Sequence, residues 1–316
     1  MKRFILWAFS GVVLTLSANV HAERKTVDEE MTIPSNARVV VETMRGDVMI
    51  KGTNQNVAHV KGKLDEHAER FIFELNGDTL TIKVEMPKRG RYNDNDGNEL
   101  TISLPSSARV EAKGVSVDFS ASQFTAQSML KTVSGDIKAN ALTGGVKLES
   151  VSGDISARNL AGEIALSSVS GDVSDSDSDS RRATYASVSG DVRVSTNAAV
   201  VRAESVSGDV ELALQTVESL QVNSVSGDVT MKLTAGPEAR INVESVSGDV
   251  DAKFNGSINA DITIETSAGG SIHNKLSNAK PQKSPFGIGE QLELELGERS
   301  GSMRFGTVSG NVTLSN

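Results

Sequence analysis

The tetrapeptide Val-Ser-Gly-Asp begins at Val133, Val151, Val169, Val188, Val206, Val225 and Val246, at spacings of 18, 18, 19, 18, 19 and 21 residues. Degenerate copies extend the array: Val115-Ser116-Val117-Asp118 before it, Ser267-Ala268-Gly269-Gly270 after it, and Val308-Ser309-Gly310-Asn311 near the end of the chain. Self-similarity at a fixed short period is the mark of a repeat architecture, and it constrains this chain more than any other feature. Within each unit the apolar residues alternate, as in Val146 and Leu148 before Ser150, or Leu220 and Val222 before Ser224. Period two means strand, and each Gly-Asp is followed at once by Val or Ile, which opens a second short strand. Units this short cannot bury an apolar face alone; they can only stack. The expected fold is therefore all-β, a parallel β-solenoid. Nine consecutive units from Val115 to Ser267, at about 4.8 Å per coil, would give a rod about 40 Å long. A right-handed β-helix is favoured over the left-handed hexapeptide form, because the apolar positions do not recur every six residues.

Stacking turns each repeated position into a column. The Gly column (Gly135, Gly153, Gly171, Gly190, Gly208, Gly227, Gly248) fits a corner that needs either a positive φ or a close approach of neighbouring coils. The Asp column (Asp136, Asp154, Asp172, Asp191, Asp209, Asp228, Asp249) has two readings. Asp commonly accepts backbone N–H groups in turns; a row of like charges could instead bind cations or a polycation. Parity places Ser150 and Ser152 inside with Val146 and Leu148, and turns Val151 out. Two Ser/Thr columns would then line the interior, and a Val column would face solvent as a docking stripe. A single irregular residue at the corner would reverse this and return Val to the core. One unit breaks the pattern: Ser174-Asp175-Ser176-Asp177-Ser178-Asp179-Ser180 replaces the usual apolar residue with Asp175. It lacks the Gly and terminal Glu of a calcium loop and reads as a flared, solvated loop.

The flanks divide the chain into three. Residues 1–22 have a basic start, an apolar run from Phe4 to Leu16 and a Val20-His21-Ala22 cleavage site, the layout of a secretory signal peptide. Residues 23–112 read as an N-terminal β-rich cap, with strands at Arg38 to Thr43, Asp47 to Lys51, Ala58 to Lys63, Phe71 to Leu75, Thr79 to Glu85 and Glu99 to Leu104. Asn76-Gly77-Asp78 is a hairpin turn, Lys88 to Asn98 a polar loop, and Arg45-Gly46-Asp47 a turn in an early degenerate unit. Residues 113–316 form the solenoid of about ten coils, with a loop insertion near 274–290, a strand from Gln291 to Leu296 and a last coil, Ser302 to Leu314, that seals the core.

Composition narrows the function. The net charge of −9, with a pI of about 5.1, argues against nucleic acid as a partner. The absence of Cys excludes thiol nucleophiles, disulfides and a lipidated N-terminal Cys. With one Trp, two Tyr and nine Phe there is little material for a stacking platform. No stretch after the leader is long and apolar enough to be a membrane span. His59, His67 and His273 are scattered over the cap and edge. No catalytic, cofactor-binding or metal-ligating residue stands out, and no cofactor is implied.

The Thr/Ser-Val-Ser-Gly-Asp-Val/Ile unit follows a lead-in ending Leu100-Thr101-Ile102-Ser103-Leu104-Pro105, and the chain closes with Gly301-Ser302-Met303-Arg304-Phe305-Gly306-Thr307-Val308-Ser309-Gly310-Asn311-Val312. In these features it resembles the bacterial “putative adhesin” family of β-strand-repeat proteins, a domain of unknown function, over nearly the whole chain after the leader. The resemblance implies the solenoid fold and transfers no site residues. The expected function is that of a non-enzymatic exported protein of the periplasm, cell envelope or cell surface. It would be an adhesin or scaffold presenting its repetitive face to an envelope polysaccharide, a cell surface or a protein partner. The alternatives are a polysaccharide-acting β-helix enzyme, and a cation-dependent assembly module using the Asp column.

Overall fold

The computed structural model describes residues 24–87, 97–283 and 288–316. The expected signal peptide, most of the expected Lys88 to Asn98 loop and part of the expected 274–290 insertion lie outside the described residues. Every regular element among the described residues is a β-strand, and the strands join in one continuous sheet. Each unit supplies a strand to two opposed faces, one before the Val-Ser-Gly-Asp corner and one after it. Val146, Leu148 and Ser150 pair in parallel with Ile164, Leu166 and Ser168 on the first face, and Ile155 pairs with Val173 on the second. The alternating apolar residues of both faces point between them and form one core running the length of the rod. The fold is a parallel β-solenoid.

The N-terminal region supplies coil as well as cover. Its strands are β1 (Thr26–Thr32), β2 (Arg38–Glu42), β3 (Arg45–Thr53), β4 (Val57–Lys63), β5 (Arg70–Asn76), β6 (Thr79–Glu85), β7 (Asn98–Pro105), β8 (Arg109–Lys113) and β9 (Ser116–Phe124). The pair β2–β3 stacks in parallel on β8–β9, and β6–β7 stacks on β2–β3, so the sheet is unbroken across residue 112. Only β1, β4 and β5 run antiparallel, covering the end of the stack. Chain order and stack order differ here: β6–β7 is outermost although it follows β2–β3 in sequence.

The same exchange occurs at the other end, and it corrects the expected position of the last coil. Strand Gly301–Ser309 lies between strands Val229–Ser247 and Ala260–Thr266, and Val312–Ser315 lies between Val250–Phe254 and Ile272–Asn274. The final coil is threaded into the stack, while the coil of residues 260–274 is outermost and is covered by the antiparallel strand Glu290–Leu296. Gly270 seats against the Gly310 carbonyl and Gly310 against that of Gly248, which places the final coil's corner between the other two.

Candidate functional site

The repeated corner is the most regular surface feature of the molecule. Alternation along the first face buries Ser150, Ser168, Ser187, Ser205, Ser224 and Ser245 and turns the following Val outward. Val115, Val133, Val151, Val169, Val188, Val206, Val225, Val246 and Val308 are 39% to 49% exposed. Met44 holds the same slot in the β2–β3 coil and is exposed as well. Because adjacent coils are hydrogen-bonded through this corner (Ser152 N–H to the Val133 carbonyl, Ser170 N–H to that of Val151), the Val residues stack into one ridge.

The second Ser column departs from expectation. Ser152 and its equivalents are exposed, and Gly153 takes the inward position. The chain bends at Ser-Gly, so parity resets after Val. A Cβ on Gly153 would lie 1.9 Å from the Gly135 carbonyl oxygen, and one on Gly171 2.2 Å from that of Gly153. Only Gly227 and Gly248 of this column have positive φ, so close approach of neighbouring coils is what the column shares. Buried hydroxyls use the same carbonyls: Ser168 Oγ donates to Gly153 O at 2.9 Å and Ser187 Oγ to Gly171 O at 3.0 Å.

The Asp column is a hydrogen-bond ladder. The N–H of each Asp donates to Oδ1 of the Asp one coil earlier: Asp154 to Asp136 at 3.0 Å, Asp172 to Asp154 at 2.9 Å, Asp209 to Asp191 at 2.9 Å, and Asp249 to Asp228 at 2.9 Å. Asn311 continues the series with its N–H on Asp249 Oδ1 at 2.8 Å. One carboxylate oxygen per coil is thus committed to the backbone. The Asp191 N–H and the Arg193 guanidinium hold the Asp172 carboxyl below the usual carboxylate range. Among the described residues no group of three or more His, Cys, Asp or Glu is placed to hold a metal ion.

The Asp175 stretch is a correction. It is no flared loop: Val173–Ser187 is one strand, and Asp175 is 3% exposed. It occupies a core column between Ala157 and Val194. Its carboxylate accepts hydrogen bonds from Ser178 Oγ at 2.5 Å and from the fully buried Tyr185 hydroxyl at 2.6 Å. Burial pushes the Asp175 carboxyl up against the pull of these two donors, and burial also pushes the Tyr185 phenol up. Sequence reasoning missed this pair, although Asp175 shares the inward parity of Val173. Both side chains lie in the core.

The other expected groups do not converge. His59 pairs with Asp28 at 2.6 Å, His67 lies against Asp65 at 3.3 Å, and His273 is exposed on the outermost C-terminal coil. Arg45 is drawn inward onto the buried Asp65 carboxylate, whose backbone N–H donates to Asn98 Oδ1 at 2.8 Å. This clip ties the corner to β7 and makes Arg45-Gly46-Asp47 a structural turn. A groove of ≈ 620 Å³ near β3 is lined by Lys61, Lys63 and Lys138 against Asp47, Glu99 and Asp118, a mixed-charge surface.

The sequence pattern of the Toastrack DUF4097 family matches residues 36–258, most of the chain and all seven clean repeats. The chain belongs to the Toastrack DUF4097 family. That stretch begins at β2, which agrees with the N-terminal strands being part of the Toastrack rod. No curated protein matches the chain. Among solved structures, it is similar to a protein of Parabacteroides distasonis described as a “putative lipid binding protein” (14% identity, 91% of this chain and 96% of that one, TM-score 0.45). It is also similar to a “putative adhesin” of Parabacteroides merdae (12% identity, 73% and 95%, TM-score 0.43). A third is a “putative cell adhesion protein” of Clostridium sporogenes (11% identity, 92% and 99%, TM-score 0.27).

Proposed function

We propose that the protein is a non-enzymatic, exported protein of the cell envelope or cell surface, an adhesin-type scaffold that presents its corner ridge to a partner. The observation that carries this reading is the ridge itself: nine Val side chains in register, each 39% to 49% exposed. Water-facing apolar residues are ordinary when scattered, but a continuous line of them marks a contact surface. Export rests on the leader-like first 22 residues. The partner class is an envelope polysaccharide, a cell surface or another protein. No helix among the described residues is long and apolar enough to cross a membrane.

The test is a binding screen of the full chain against envelope polysaccharides, whole cells and envelope proteins, repeated with Val169, Val188 and Val206 all changed to Ser. The expected result is a ligand bound by the parent and lost by the triple variant at unchanged melting temperature. A ligand bound equally by both would remove the ridge from the function.

A further inference from the structure

We propose that the open edge of β5 pairs with the β5 edge of a second copy, joining two rods end to end through a continuous antiparallel sheet. A strand at a sheet edge offers unpaired N–H and C=O groups to any strand that can reach it, and natural edges are normally shortened, charged or covered. The edges of this rod are treated unequally. On the second face the N-terminal edge is β1, which carries Asp28, Glu29 and Glu30 in succession. At the C-terminal end, Ile272–Asn274 has three residues, and on the first face Glu290–Leu296 is flanked by the two-residue strand Gln282–Lys283. The remaining edge, β5, is seven residues long, carries the uncharged run Phe71-Ile72-Phe73 at its centre, and among the described residues pairs with β6 alone.

The geometry of β5 fixes what can add to it. Asn76 and Thr79 flank the two-residue turn Gly77-Asp78, so they form a hydrogen-bonded pair. The Arg38 N–H bond to the Asp78 carbonyl sets the opposite parity of β6 toward β2. Hydrogen-bonded and non-bonded pairs alternate along an antiparallel ladder, so Phe71, Phe73 and Leu75 turn their amide and carbonyl groups away from β6, toward the side on which no described strand pairs. Their side chains pack half-buried against the open end of the core. Arg70, Ile72 and Glu74 lie on the outer face.

This sequence complements itself. A two-fold axis through Ile72 sets Ile72 opposite Ile72 of the second copy as a non-hydrogen-bonded pair, and Phe71 opposite Phe73 as a hydrogen-bonded one. Arg70 then faces Glu74, twice by symmetry, at the closer Cα spacing of non-bonded pairs. Shifting the axis to Phe73 would oppose Arg70 to Asn76 and Ile72 to Glu74, so charge selects the Ile72 register. The acidic β1 edges favour no second strand pairing, and the contact is confined to one strand from each copy. It is therefore a weak, concentration-dependent dimer.

Sedimentation equilibrium of the full chain over a wide concentration range tests this. The expected result is a monomer–dimer equilibrium. Glu74→Arg should weaken it by about tenfold, because symmetry turns two attractive cross-strand pairs into two repulsive ones. The double exchange Arg70→Glu with Glu74→Arg should restore it, even though Arg70 also bridges Glu85 within the chain at 3.2 Å. Ile72→Lys, on the outer face, should abolish it at unchanged melting temperature. A chain that stays monomeric at the highest concentrations, a dimer indifferent to all these changes, or a double exchange that fails to restore pairing would each overturn the proposal.

Discussion

Asp175 shows how one residue can depart from its column without breaking the rod. Its column neighbours are Ala157 and Val194, and the carboxylate is tolerated because Ser178 and Tyr185 both donate to it. Burial raises its folded pKa, so the folded state holds a proton to higher pH than the unfolded chain. Its contribution therefore favours folding most below the unfolded value of about 3.9, and is lost as pH rises toward the raised folded value. Asp175→Asn should remove that slope from a plot of melting temperature against pH; a slope that persists would assign it to other carboxyls. Asp175→Val alone should cost about 1–3 kcal/mol by stranding the buried Tyr185 hydroxyl, whereas Asp175→Val with Tyr185→Phe should recover most of the loss in urea melts. The clue to this burial was the parity of Val173 and Asp175, but an Asp-Ser alternation also satisfies a water-facing strand, and only Tyr185 reaching across from the next coil decides between them. Gly171 gives the reverse case. A methyl group there would lie 2.2 Å from the Gly153 carbonyl, so Gly171→Ala should destabilise by about 1–3 kcal/mol, while Ser170→Ala one residue earlier, on the exposed side, should leave denaturant midpoints nearly unchanged.

At the level of the coil, alternation carried the sequence reading as far as the corner and no farther. Strand positions follow from period two; the inward first Ser and the outward Val do not, because a bulge before Val would reverse both, and it is the structure that shows the first face uninterrupted up to Val. Past Val the chain bends, and the contact that governs the bend is between Gly backbones of adjacent coils, which a single unit does not contain. That is why parity alone puts Ser152 inside, whereas the folded chain exposes it. The Asp ladder was equally ambiguous in sequence, since turn capping and cation binding ask for the same residue. The structure supplies a natural control in Asn311, which occupies the Asp position and whose Oδ1 accepts the Ser271 N–H at 3.1 Å. An amide oxygen therefore serves the ladder as well as a carboxylate. Asp209→Asn should keep the bond, ease repulsion along the row, and leave the melting temperature unchanged or slightly raised. Asp209→Ala should cost about 1 kcal/mol for the lost acceptor. A cation-bridged ridge predicts the opposite: Asp209→Asn would destabilise, and calcium or magnesium would raise the melting temperature of the parent.

For the molecule as a whole, stack order matters more than chain order. A solenoid is close to a one-dimensional array in which each coil is held by its two neighbours, so removing one complete unit should shorten the rod without dissolving it. Deleting residues 151–168 joins Ser150 to Val169, preserves the register of every column, and should yield a folded protein with a modestly lower melting temperature. A short C-terminal truncation would ordinarily be milder still, because terminal elements fray at little cost. Here the expectation reverses. Residues 301–315 are held on one side by the coil containing Val229–Ser247 and Val250–Phe254, and on the other by the coil of residues 260–274. Phe305 and Met303 are buried in that layer, with Phe305 packed edge-on against Phe254 at 6.2 Å. Removing residues 300–316 would take a layer out of the middle and strip the strand partners from the coils on both sides of it at once. The repeat alone could not reveal this, since every unit carries the same corner and none encodes its neighbour; only the 41-residue gap between Ser267 and Val308 hinted that the last unit was set apart. The truncated chain should therefore lose cooperative melting and expose the C-terminal third to protease, while the larger internal deletion should resist both. Equal resistance of the two deletions would mean that the final coil is a dispensable end rather than an interior layer.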